Sequence, residues 1–227
     1  MKNLNSLLSL PIAYLLGSIP SAVWIAKIVK KIDIREHGSK NAGLTNVFRV
    51  LGWKPALPVV LIDLSKGFLA PSIALWMNNA SVAAGGPDYF WLPLVAGFLA
   101  ILGHSFTCFA GFRGGKGVLT AFGVFLALAP LTATICFLVW VLLVVFTKYV
   151  SVGSIGACLA LAILSGTSYF IGFPDTKVHG GIFIMALVVA TFVIVKHRTN
   201  IVRLMNGTEN GFGSKKKPKL ETPEEKI

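Results

Sequence analysis

Lys116 sits among glycines. Gly114, Gly115 and Gly117 surround it and Arg113 comes just before, within the stretch Gly103 to Thr120, GHSFTCFAGFRGGKGVLT. Glycine lets the backbone approach a ligand closely and adopt positive φ. Consecutive exposed N–H groups beside a lysine can cradle an anion, and a following helix adds its positive N-terminal end. The apolar run starting at Val118 supplies that helix. The stretch is therefore expected to form a phosphate site at a membrane surface, with Gly114, Gly115 and Gly117 as binding positions. It is not a Walker motif, because GxxxxGK[ST] is absent.

Three other polar clusters stand out: residues 37–49 (HGSKNAGLTNVFR), 151–154 (SVGS) and 196–209 (KHRTNIVRLMNGTE). With the glycine–lysine stretch they offer the cations Arg49, Arg113, Lys116, Arg198 and Arg203. They add hydroxyls from Ser39, Thr45, Ser151 and Ser154, amides from Asn41, Asn46 and Asn200, and imidazoles from His104 and His197. This inventory suits one or two phosphate groups, which arginine binds bidentately and lysine as a point charge. Only Glu36 and Glu209 are nearby carboxylates, which argues against a divalent metal held by oxygen ligands. His197 and Asn200 share a face if they lie on a helix, and Arg203 extends it.

Each cluster has a plainer reading. GSKNAG is also a turn-rich connector, GFRGGKG a loop with cytoplasmic charge, and SVGS a small-residue packing face. The segment from Lys196 could be a basic helix end touching lipid headgroups. His104 reads as a hydrogen-bonded bundle histidine. Asp63 and Lys66, at i and i+3, read as an intramembrane pair with a structural role. Cys108, Cys136 and Cys158 lack CxxC spacing and read as small core residues.

The elements that must position these residues are membrane helices. The chain of 227 residues is 55% hydrophobic and 13% charged, against roughly 25% charged in a soluble domain. The net charge of +12 then marks cytoplasmic loops and anionic headgroups rather than nucleic acid. Residues 6–26 make a first span, kinked at Pro11 and Pro20. The basic cluster Lys27, Lys30 and Lys31 follows this run instead of preceding it, which fits a retained span with its N-terminus outside rather than a signal peptide. Residues 55–77, 89–112, 149–171 and 178–195 make further spans, and 78–88 a loop. Residues 118–147 carry no charge for thirty positions, and one helix needs only about twenty to cross.

Charge bookkeeping decides how that stretch crosses. With two crossings turning near Pro130, eighteen of the 21 Lys/Arg become cytoplasmic, leaving Lys2 and Lys177 outside and Lys66 within a span. The expectation is an all-α polytopic membrane protein with seven transmembrane helices, N-terminus outside and C-terminus cytoplasmic. Residues 1–206 form the membrane domain and 207–227 a polar, disordered tail.

At these residues the chain resembles the bacterial membrane acyl-phosphate:glycerol-3-phosphate acyltransferases. GSKNAGLTNVFR (38–49) resembles the family's GSGNxGATNxxR, with Lys40 and Leu44 in place of Gly and Ala. The glycine–lysine stretch resembles GHxFPxFxxFKGGKGVAT, with Thr107 for Pro, Arg113 for Lys and Leu119 for Ala. SVGSI and HRTNIVRLMNGTE resemble the remaining signatures, and the likeness extends to about Glu209. It implies acyl transfer from acyl phosphate to the 1-hydroxyl of glycerol 3-phosphate, as the first acylation of bacterial phospholipid synthesis in the inner membrane. It implies Ser39, Arg49, Lys116, His197 and Asn200 as the catalytic groups. It implies no cofactor and no obligate protein partner. The His-x4-Asp motif of other glycerolipid acyltransferases is absent: five positions after His37, His104, His179 and His197 stand Ala42, Phe109, Ile184 and Val202.

Two other functions would suit a basic pocket in a helical bundle: a transporter of organic phosphates, or a lipid-binding scaffold. Transporters commonly carry midplane charge and internal repeats. Here the basic clusters gather at one end, Asp63 and Lys66 are the only mid-span charges, and no clear repeat is present.

Overall fold

A computed structural model describes residues 4–175 and 179–211. These residues form eleven α-helices in chain order, α1 Leu4–Leu7, α2 Ser9–Gly17, α3 Ser21–Lys30, α4 Leu44–Leu51, α5 Trp53–Ala83, α6 Leu92–Ser105, α7 Val118–Leu128, α8 Pro130–Thr147, α9 Val150–Ile171, α10 Gly180–Lys196 and α11 Arg198–Met205. Five helical stretches are long and apolar enough to cross a membrane, or six if α10 and α11, bent by 56°, count as one. The chain is thus an all-helical, multi-pass membrane protein.

The first span breaks at residues 18–20, ahead of Pro20, as a proline without an N–H requires. The break frees the Ile19 carbonyl, which accepts a hydrogen bond from Lys66 Nζ at 2.9 Å. Lys66 also pairs with Asp63 at 2.8 Å, and Ser21 Oγ donates to Asp63 at 2.7 Å. The expected Asp63–Lys66 pair therefore exists, and it ties α5 to the kink of the first span.

The helix from Trp53 runs to Ala83, past the expected end at 77, with Pro58 and Pro71 inside it. It absorbs much of the expected 78–88 loop, because nothing in NNASVA stops a helix before Gly85. The next helix is shorter than its expected span. It ends at Ser105 and is followed by a single 3₁₀ turn, Cys108–Ala110. The thirty-residue uncharged stretch divides at Ala129, between α7 and α8. Pro130 opens α8, where its missing N–H costs nothing, and the Asp175 carboxylate accepts from the N–H groups of Leu131 and Thr132 at 3.1 and 2.8 Å. At eleven residues, α7 rises only about 16 Å.

Glycines let several helices touch backbone to backbone. A Cβ on Gly67 would stand 2.1 Å from Thr120 O, and one on Gly123 would stand 2.3 Å from Leu64 O, so α5 and α7 meet without side chains between them. Gly17 against Ala100 joins α2 to α6 in the same way, at 2.2 Å. The largest apolar core gathers side chains of α6 to α10, including Val124, Phe125, Ala186 and Val193.

Candidate active site

Lys116 reaches its place on a strand of chain that doubles back along the end of α6. Gly114 N–H donates to Ser105 O at 3.2 Å and Gly115 N–H to His104 O at 3.1 Å. A Cβ on Gly114 would lie 1.9 Å from His104 O, and one on Gly115 would lie 2.2 Å from His104 Nε2. These two glycines therefore serve close contact within the protein. Their N–H groups are spent and do not cradle an anion, and neither residue lines the cavity described below. Gly117, at φ +83°, caps α7 and does line it. The loop is fastened from outside as well. Arg35, paired with Asp33 at 2.6 Å, donates to Ala110 O at 2.6 Å, and Tyr14 donates to Phe106 O at 2.7 Å.

Residues 38–49 fold around the Asn46 amide. Its Nδ2 donates to the carbonyls of Ile34, His37 and Asn41 at 2.9–3.0 Å, and its Oδ1 accepts from Ser39 N–H at 2.8 Å. Asn46 lies at the cavity wall, but its amide is committed to holding the loop. Through Oδ1 it fixes the backbone at Ser39. Lys40, which stands where the resembled motif has glycine, adopts φ +59°, a left-handed conformation that side chains rarely take.

The third contribution comes from the bend between α10 and α11. His197 is buried, and its Nδ1–H donates to Val193 O at 2.8 Å. A carbonyl only accepts, so this bond fixes the tautomer and leaves Nε2 with a lone pair. Burial, reinforced by the Lys116 charge, lowers the His197 pKa to about 4. Asn200 accepts from Lys116 Nζ through Oδ1 and donates from Nδ2 to Glu209 at 2.6 Å. Glu209 also accepts from Ser151 Oγ at 3.0 Å and from Arg203 Nε at 2.7 Å. Burial alone would raise the Glu209 pKa, but these bonds, with the Arg203 charge, hold it below its ordinary value. Of the expected tail, residues 207–211 are described and include this carboxylate, while 212–227 fall outside the described residues.

These parts enclose one cavity of about 600 Å³. Ser39, Asn41, Thr45, Asn46, Arg49, Lys116, Gly117, Ser151, Ser154, His197, Asn200 and Arg203 all line it, whereas Arg113 is exposed on the surface and does not. Lys40, Asp63, Lys196 and Glu209 line it too, beyond the inventory drawn from the sequence, as does His104, which that inventory included. Ser154 spends its hydroxyl on Val150 O at 2.9 Å. Burial lowers the Lys116 pKa to about 8, against the nearby Glu209 charge and with help from Arg203, Lys196 and Arg49. Burial likewise lowers that of Arg49. Neither cation has a carboxylate within ion-pair distance among the described residues. The other end of the cavity is apolar and runs between α7, α8, α9 and α10, past Phe125, Ala133, Cys158 and Val189.

A cup of under-paired cations opening into a greasy tube fits an amphiphile with an anionic head. The family model described as glycerol-3-phosphate acyltransferase matches residues 7–207. The chain belongs to this family. A glycerol-3-phosphate acyltransferase of Fusobacterium nucleatum is 43% identical over 201 residues, covering 88% of this chain and 95% of that one. One from Chlorobaculum parvum is 42% identical over 224 residues, covering 91% and 96%. Two crystal structures of PlsY, an integral membrane glycerol 3-phosphate acyltransferase, share the fold. Its glycerol 3-phosphate form matches with a TM-score of 0.78 at 39% identity, covering 92% of this chain and 96% of that one. Its lysophosphatidic acid form matches with a TM-score of 0.74 at 38% identity, covering 92% and 95%. The motifs that carried the resemblance lie within the matched residues, except for the last two positions of HRTNIVRLMNGTE, Thr208 and Glu209.

Proposed function

We propose that this protein transfers a fatty acyl group from acyl phosphate to the 1-hydroxyl of glycerol 3-phosphate, giving lysophosphatidic acid and inorganic phosphate. The observation that carries this reading is the single cavity with Arg49, Lys116 and Arg203 at one end and a tube of apolar side chains at the other. Glycerol 3-phosphate and the donor phosphate occupy the polar end, and the acyl chain occupies the tube. The relatives named for glycerol 3-phosphate and the solved forms with glycerol 3-phosphate and lysophosphatidic acid support it.

The donor is a mixed anhydride and is already activated, so the protein mainly has to bring two anions together and aim a hydroxyl at the acyl carbonyl. Such positioning supplies roughly 7–11 kcal/mol of a barrier. Lys116, steered by Asn200, and Arg49 neutralise the departing phosphate and the developing oxyanion. Ser39, Asn41, Thr45 and Arg203 hold the phosphate of glycerol 3-phosphate, and Ser151 anchors the Glu209 carboxylate beside it. His197, neutral at pH 7, accepts a hydrogen bond from the other hydroxyl of glycerol 3-phosphate through Nε2 and so orients the acceptor. Burial holds His197 well below the ordinary imidazole range, which makes it a poor proton acceptor near neutral pH. The donor phosphate therefore takes the proton, and catalysis is substrate-assisted.

The same reading sets the topology. Seven crossings, α7 being the short one held by α5 and α8, place the N-terminus outside, the C-terminus inside and the cup on the cytoplasmic face of the bacterial inner membrane, under the positive-inside rule. Purified protein given palmitoyl phosphate and labelled glycerol 3-phosphate should form labelled lysophosphatidic acid. Vesicle uptake of label without product would sink the reading in favour of a transporter.

A further inference from the structure

We infer that Ala133 and Leu161 form the closed end of the apolar tube and set the longest acyl chain the protein accepts. This inference rests on the acyltransferase reading above. Four helices mark the same limit independently. The wall residues end at Phe125 on α7, Ala133 on α8, Leu161 on α9 and Val189 on α10. One turn farther along, Ala129, Ser165 and Ala186 are buried and no longer line the cavity. Along the helix axes the lining therefore stops at one level.

Its depth follows from helix rise. On α9 the lining face steps from Val150 through Ser154 and Ala157 to Leu161, about 16 Å at 1.5 Å per residue. On α10 it runs from His197 to Val189, about 12 Å by the same rise. Ala133 is 1% exposed and Leu161 7%, so neither is a lipid-facing side chain that happens to border the opening. A larger residue at 133 projects into the tube, and a smaller one at 161 extends it.

The test is a chain-length profile. Ala133→Leu, Leu161→Ala and the unaltered protein are each assayed for kcat/KM with dodecanoyl, hexadecanoyl and eicosanoyl phosphate. Ala133→Leu should lower the hexadecanoyl-to-dodecanoyl ratio about tenfold, the discrimination that a methylene or two commands in an apolar pocket. Leu161→Ala should raise the eicosanoyl-to-hexadecanoyl ratio. A purely structural effect would lower all donors by one factor, and that outcome, or unchanged ratios, overturns the inference. Should Ala133→Leu fail to fold, the opposite shift expected of Leu161→Ala decides alone. If the unaltered protein acylates glycerol 3-phosphate from none of the three donors, the parent reading falls and this one with it.

Discussion

Two lysines are withdrawn from solvent in this molecule, Lys66 wholly and Lys116 in part, and they serve opposite ends. Lys66 is 2% exposed, pairs with Asp63 at 2.8 Å and donates to Ile19 O at 2.9 Å. Its charge is answered completely by the protein. Lys116 donates to an amide oxygen of Asn200, and its nearest opposing charge, Glu209, is already divided among Ser151, Asn200 and Arg203. A satisfied charge holds helices together. An unsatisfied one, costly to leave in a low-dielectric wall, waits for a ligand.

The contrast can be broken at either lysine. Lys66→Met should cost about 3–5 kcal/mol of stability, because it strands the Asp63 carboxylate in the membrane. Thermal unfolding in detergent would check it, and an unchanged midpoint would remove the structural role. Lys116→Met should leave that midpoint nearly in place and lower kcat by about 10²–10³, the usual loss for one group that stabilises a developing oxyanion. Equal losses of stability in both variants would erase the distinction.

Smaller effects sharpen it. Gly114→Ala should push the lysine loop off His104 O and cost about 1–3 kcal/mol, as overpacking does. Activity should fall with it, since Lys116 moves out of line, and the paired measurement is unfolding and kcat on the same sample. The mildest probe is pH. Lys116 must be protonated to attract an anion, and its pKa in the empty cavity is about 8. The kcat/KM value should therefore decline as pH rises through about 8. His197 is neutral above about 4, so it should contribute no inflection between pH 5.5 and 7.5. A histidine-like inflection there that disappears in His197→Gln would restore histidine as the base.

Much of this difference can be read in the chain, and the unread part has physical causes. Asp63 and Lys66 stand at i, i+3 in an otherwise apolar run, which already predicts mutual neutralisation. The turn near Pro130 follows from length and charge placement, and the division at Ala129 agrees with it. Lys116 announces itself through its glycines, yet the glycines mislead about their own task. Spacing does not tell a ligand approaching the backbone from a neighbouring carbonyl approaching it, and here the neighbour is His104. Asn46 was open to the same confusion, since a loop-closing amide and a ligand amide look alike in one dimension.

Glu209 was missed because its contact depends on a reversal after α11. Gly207, at φ +67°, ends the helix, and Thr208 N–H donates to Arg203 O at 2.8 Å, sending the chain back over the cavity. A glycine stop followed by the single acid of a basic segment is the cue that could have found it.

The backbone seam between α5 and α7 has a consequence for how a bulky reactant is admitted. Gly67 and Gly123 leave no rotamers in that seam to rearrange, so the wall bearing Lys116 yields almost nothing to an incoming tail. Whatever give the entry of a long lipid requires must come from the opposite side. There Phe137 and Trp140 face the tube and stack on one another, so that side is closed by side-chain contacts instead of a backbone seam.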